Sequence, residues 1–167
     1  MRPTYWRPPI ELSATEQMII KRIRRGKLFV FLRQHRHEVF DEAFQQELAS
    51  LLYQESQRGQ PPVPPALLAL ATILQAYTRV SDDEVIEASV MDRRWQLVLN
   101  CVDTEEPPFS KGTLVAFRKR LIETNMAQRL VERTIEVARE TGAFGSAALR
   151  AALDGSSLWC PKYHDET

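Results

Sequence analysis

Apolar residues recur along this chain at three- and four-residue spacing in several blocks, and the blocks are separated by proline-rich or acid-rich stretches. Ser13-Ala14-Thr15-Glu16 has the form in which a hydroxyl and a carboxylate satisfy each other's free backbone amides, and Met18, Ile19, Ile20 and Ile23 follow it, so a first helix starts there. Gly26 breaks it. "KLFVFLRQHRHEVF" then leads into Phe40, Ala43, Phe44, Leu48, Leu51 and Leu52, a second helix or two with a bend between them. Glu55 to Pro65, "ESQRGQPPVPP", reads as an extended connector.

Beyond it, "ALLALATILQAYT" is apolar almost all round, the pattern of a helix covered by neighbours on several sides and the predicted centre of the core. Ser81-Asp82-Asp83-Glu84 repeats the capping signature and opens a helix running through about Val90, or on to Leu99. Three successive acids point in three directions on a helix, which favours capping over metal binding. Ser110 heads "KGTLVAFRKRLIE", and after Asn125 a helix carries Ala127, Leu130, Val131, Thr134 and Ala138 on one face, with Gly142 at its end. The final "LRAALDGSSLW", short and apolar and closed by Gly and Ser, reads as a strand with a turn. The expected fold is mainly α, a helical bundle ending in one β-strand.

Composition narrows the class. The 167 residues carry 22 basic and 22 acidic side chains, with 44% hydrophobic residues, enough for a buried core under a wet surface. No run reaches the roughly 20 apolar residues of a membrane helix, and the prolines of "MRPTYWRPPI" exclude the apolar core of a signal peptide. A cytoplasmic protein without membrane contact is expected, with Cys101 and Cys160 as free thiols.

Neutral in total, the chain is uneven locally. Lys21 to His37, "KRIRRGKLFVFLRQHRH", holds seven Lys or Arg and no acid. Such a run either neutralises phosphates, with Lys21, Arg22, Arg24, Arg25 and Lys27 as contacts, or forms a solvated helical face. His35 and His37 do not share a helical face, which argues against a metal site. A second group, Lys111, Thr113, Arg118, Lys119 and Arg120, lies on a short helix entered from a Pro-Pro turn. Helix-turn-helix readers of DNA use such a helix, but on spacing alone a bundle helix with an exposed Arg/Lys face is slightly the better account. Cys160 and His164 supply at most half of a zinc site.

The order of these motifs carries a resemblance. "KLFVFLRQHRHEVFDEAF", "PPVPPALLALATILQAYTRVSDDEVIEASVMDRRWQLVLN", "PPFSKGTLVAFRKRLIE" and "LRAALDGSSLW" together resemble the N-terminal part of a bacterial DDE-type insertion-sequence transposase, over about Lys21 to Trp159. The resemblance implies a helical DNA-binding region, residues 1–145, that holds transposon inverted-repeat ends. It further implies the beginning of an RNase H-like catalytic domain, residues 146–167, with Asp154 in the position of the first catalytic Asp.

Two-metal strand transfer needs several carboxylates around hard cations such as Mg²⁺, and Mg²⁺ is the cofactor implied for an intact family member. The second Asp and the Glu do not appear in this sequence, and "CPKYHDET" stands where the family has a glycine-containing loop. A truncated, catalytically inactive fragment without a cofactor of its own is therefore expected, binding end DNA and self-associating or associating with full-length transposase. The alternatives are a helical oligomerisation module that reads no DNA sequence, centred on residues 66 to 78, and an inert remnant of a decayed element.

Overall fold

The computed structural model describes residues 5–52 and 62–159. They form nine α-helices and one short 3₁₀ turn. The first is α1 (Ala14–Arg22), opened by Ser13 in a complete capping box: the Glu16 amide donates to Ser13 Oγ at 3.1 Å and the Ser13 amide to Glu16 Oε1 at 3.0 Å. Gly26 then turns the chain, and α2 (Lys27–Val39) and α3 (Glu42–Leu52) follow as two separate helices. Phe40 closes α2 with a non-helical backbone, and Asp41 Oδ1 takes the Phe44 amide at 2.8 Å at the start of α3. Most of the connector expected over residues 55–65 lies outside the described residues.

The central helix is α4 (Pro65–Thr78). Pro65 occupies the first turn, where no amide donor is needed. From Ala66 to Ala76 every side chain is buried, so the all-round apolar pattern translates into a helix enclosed by its neighbours. Ser81 opens α5 (Asp82–Met91) with a second complete capping box to Glu84. Asp92 ends α5 and at once caps α6 (Arg93–Leu99), its Oδ1 accepting the Arg94 amide at 2.9 Å; the helix thus ends beside the expected Val90 boundary, and the alternative run on to Leu99 is a second helix. Arg79 and Asn100, in left-handed conformation, end α4 and α6.

Ser110 caps α7 (Lys111–Glu123), which packs against α3, α4, α5 and α8 (Met126–Thr141). Gly142, at φ 66°, ends α8. Residues 146 onward correct an expectation: among the described residues there is no strand, and the segment read as one forms α9 (Ser146–Asp154) and a 3₁₀ turn (Ser157–Trp159). Leu149 and Leu153, four apart, are fully buried against α8 and α4, and the alanines between them favour helix. Leu149, Leu153 and Leu158 belong to the same core as α2 to α8.

Gly26 sets the turn between α1 and α2. Its φ of +103° is unfavourable for any side chain, and a Cβ there would stand 2.8 Å from Phe29 Cδ2. That ring is buried edge-on to Trp95, with the Arg94 guanidinium 4.9 Å from its centroid, and has no room to retreat. Gly26→Ala is expected to cost about 2 kcal/mol from left-handed strain and overpacking. A urea midpoint unchanged from wild type would contradict this.

Candidate nucleic-acid interface

Which cations are free to meet phosphate depends on what each touches. Arg33 and Arg36, from the basic run, are each 1% exposed. Arg33 grips Glu16 through Nε (2.6 Å to Oε2) and Nη2 (3.2 Å to Oε1), and donates to the carbonyls of Ile10 and Glu11. Burial alone would raise the Glu16 carboxyl; the Arg33 and Ser13 hydrogen bonds outweigh it and hold the pKa below the usual carboxylate value. Arg36 donates to the Leu97 and Val98 carbonyls at the end of α6, where a helix dipole is negative, and to Pro9 O, with its guanidinium 5.3 Å from the Trp6 ring. Desolvation, with Arg33 nearby, lowers its pKa to about 10, which leaves it charged at neutral pH. Both arginines are internal fasteners that hold the segment before α1 to the bundle.

The expected reader helix is committed in the same way. Arg118, 2% exposed, reaches Asp82 with both terminal nitrogens, at 2.6 Å to Oδ1 and 3.0 Å to Oδ2, and Gln75 Oε1 at 3.1 Å. The Arg118 hydrogen bond, aided by one from Gln75, keeps the Asp82 carboxyl low despite burial. Lys111 Nζ lies 3.2 Å from Asp83 Oδ1. The Thr113 amide and hydroxyl are both joined to Ser110 Oγ. Arg120 donates to the Leu52 carbonyl at the end of α3. Lys119 alone of the expected α7 contacts is exposed with no partner. Arg118 thus braces α7 to α4 and α5 from inside, where it meets no phosphate.

The turn from α1 to α2 is different. Lys21, Arg22, Arg24, Arg25 and Lys27 are all exposed. Among the described residues none of the five has a hydrogen-bonding or ion-pair partner. Arg22, Arg24 and Arg25 line one side of a cleft of about 650 Å³. Arg93 and Arg94, at the start of α6, line the other, and Thr15, Met18, Ile19 and Ile23 complete it. Sequence reasoning missed Arg93 and Arg94, which lie some 70 residues downstream and join the group only because α1 packs on α6.

Arg94 is held by Asp92, at 2.8 Å between Nη2 and Oδ2. Hydrogen bonding to Asp92 raises its pKa, while the carboxyl, which burial would push up, is held down by Arg94. Arg93 has only a loose pair, 3.6 Å from Asp103 with both side chains more than half exposed.

Asp154 is the last residue of α9, exposed, and electrostatically coupled to Arg150. Among the described residues no group of three or more His, Cys, Asp or Glu side chains is placed to hold a metal ion. A lone exposed carboxylate beside an arginine does not fit a pair of hard cations, which demand several oxygen ligands. Cys101 is buried, its thiol pushed up by desolvation; Cys160 and His164 lie outside the described residues. No helix among the described residues is long and apolar enough to cross a membrane.

A helical bundle with five unpartnered cations gathered at one turn among the described residues has the electrostatic form of a nucleic-acid-associated module. The chain belongs to the family described as Transposase domain (DUF772), whose model matches residues 17–120. The match takes in the 21–27 turn, α6 and most of α7, and ends before α8, α9 and Asp154. No curated protein matches the chain, and no solved structure does. Its role is therefore transposase-related.

Proposed function

We propose that this protein binds transposon-end DNA through the turn between α1 and α2, with Lys21, Arg22, Arg24, Arg25 and Lys27 as phosphate contacts and Arg93 beside them. One observation carries the reading: these five cations have no partner among the described residues, whereas Arg33, Arg36, Arg118, Arg133 and Arg150 are each engaged by carboxylates or carbonyls. Desolvating a cation without a partner costs free energy, so the ones left in water are those available to release counterions from DNA. Lys119, exposed on α7, is the remaining contact of the second basic group. A neutral net charge is no obstacle, because a Debye length of about 8 Å at physiological salt makes the local field decisive.

We further propose that the residues described here do not carry out strand transfer, since among them Asp154 belongs to no group of three or more potential ligands that could share a metal pair. Labelled end DNA incubated with Mg²⁺ or Mn²⁺ should stay intact; cutting that Asp154→Ala abolishes would refute this.

The binding reading is tested by titrating the full chain against inverted-repeat ends and a scrambled duplex at two salt concentrations. Tighter binding to the ends, falling linearly in log-log form with salt, is the expected result. Equal affinity for both duplexes would reduce the turn to non-specific charge. No binding at low salt would remove the DNA reading and leave the oligomerisation module, to be sought by sedimentation.

A further inference from the structure

The cleft beside the basic turn is not merely charged. Its arginines share the lining with Met18, Ile19 and Ile23, of which Met18 is 58% exposed and Ile19 6%. Phosphates of an intact duplex satisfy guanidinium groups but leave Met18 in water, because paired bases stay stacked inside the helix. An unpaired nucleotide satisfies both: its base covers apolar side chains and stacks on guanidinium planes, while its phosphate takes the cationic rim. At about 650 Å³ the cleft is of the size that small-molecule sites have. An anionic occupant is favoured, since Arg22, Arg24 and Arg25 lack any carboxylate among the described residues.

We propose that this cleft takes an unpaired nucleotide at the end of the bound DNA, the base over Met18, Ile19 and Ile23 and the phosphate on Arg22, Arg24 or Arg25. The inference rests on the DNA-binding reading above and adds to it a preference for ends with a single-stranded overhang over blunt ends. Arg94, fixed by Asp92 and by the Phe29 ring, supplies a rigid wall for the base, while the unpartnered arginines adjust to the backbone.

The experiment is fluorescence anisotropy with the full chain and four probes of one sequence: a blunt duplex, the same duplex with a short 3′ overhang or a short 5′ overhang, and an overhang of equal length made of abasic nucleotides. One overhang polarity should bind on the order of tenfold tighter than the blunt duplex. The abasic version should lose that gain although it carries the same phosphates.

Met18→Gln, an exposed change that keeps length and charge, should abolish the preference between overhanging and blunt ends. Equal affinity for blunt and overhanging ends overturns the inference and leaves the DNA reading standing. So does a preference that survives abasic substitution, which assigns it to charge, or one that survives Met18→Gln, which places the base elsewhere. Failure to bind any probe at low salt removes the DNA reading and this inference with it.

Discussion

Arg118→Ala is expected to destabilise the protein by about 3–5 kcal/mol, the cost of removing one partner from a buried ion pair and leaving the other uncompensated. For a domain of ordinary stability, roughly 5–15 kcal/mol in total, this is a large share. The magnitude follows from position. Arg118 is 2% exposed, and its hydrogen bonds to Asp82 and Gln75 tie α7 to the first turn of α5 and the last turn of α4. Losing it removes the guanidinium from the Gln75 carbonyl and from the Asp82 carboxylate, which then keeps the hydrogen bond from Gln75 Nε2 at 2.7 Å.

A double-mutant cycle with Asp82→Ala in urea should return a coupling of about 0.5–3 kcal/mol, the range for residues in one network. Additive single-mutant effects would mean that the pair does not act as a unit.

The same pair has a pH signature. The folded Asp82 pKa is depressed, so its contribution is fully present above the unfolded carboxylate value of about 3.9 and is lost as pH falls through the lower folded value. The destabilisation caused by Arg118→Ala should accordingly shrink below about pH 4. Glu16, held down by the Arg33 and Ser13 hydrogen bonds, and Asp92, held down by Arg94, add contributions of the same sign. A penalty for Arg118→Ala that stays constant from neutral pH to pH 2 would refute this.

The second large effect concerns binding. Arg22→Ala/Arg24→Ala/Arg25→Ala removes three exposed cations that have no partner among the described residues. If each neutralises one phosphate, the slope of log affinity against log salt should fall by about 2.7, at roughly 0.9 per contact. Taking 1 M salt as reference, that slope difference corresponds to a loss of about 10²–10³ in affinity near 0.1 M. Stability should change little, because exposed, unpaired side chains contribute within about 0.5 kcal/mol.

The contrast with Arg118 is diagnostic. An Arg118 variant loses binding in proportion to its unfolded fraction and recovers under stabilising conditions. The triple variant stays folded and does not recover. Unchanged binding in the folded triple variant would exclude the turn from the interface.

Local signals account for most of the element boundaries. Both Ser-Glu capping boxes, the Pro at the start of α4, the Ser110 cap and Gly142 at the end of α8 act through groups three or four residues apart, so they are visible in sequence. Asp92 was not read as a boundary, because one residue serving as last cap of α5 and first cap of α6 looks like an interior polar position of a single helix. The α9 segment was misread for a different reason. Leu149 and Leu153 lie on one face under either helical or alternating periodicity, so the apolar pattern does not separate the two. The alanine content was the better guide, and packing against α8 settled the outcome.

The sequence alone determined that this is a mainly helical protein with a wholly buried central helix, and that its basic residues fall in two groups, because capping and amphipathic spacing act within one turn. Only the tertiary structure decided which of those cations are fasteners and which face water. The partners that consume Arg33, Arg36 and Arg118 lie 17, 62 and 36 residues away, at Glu16, Val98 and Asp82. Arg93 and Arg94 enter the cleft by way of the contact between α1 and α6. A charge run in sequence states how many cations there are; the pairing that removes some of them from solvent arises when distant helices close on one another and desolvation leaves no charge inside without a partner.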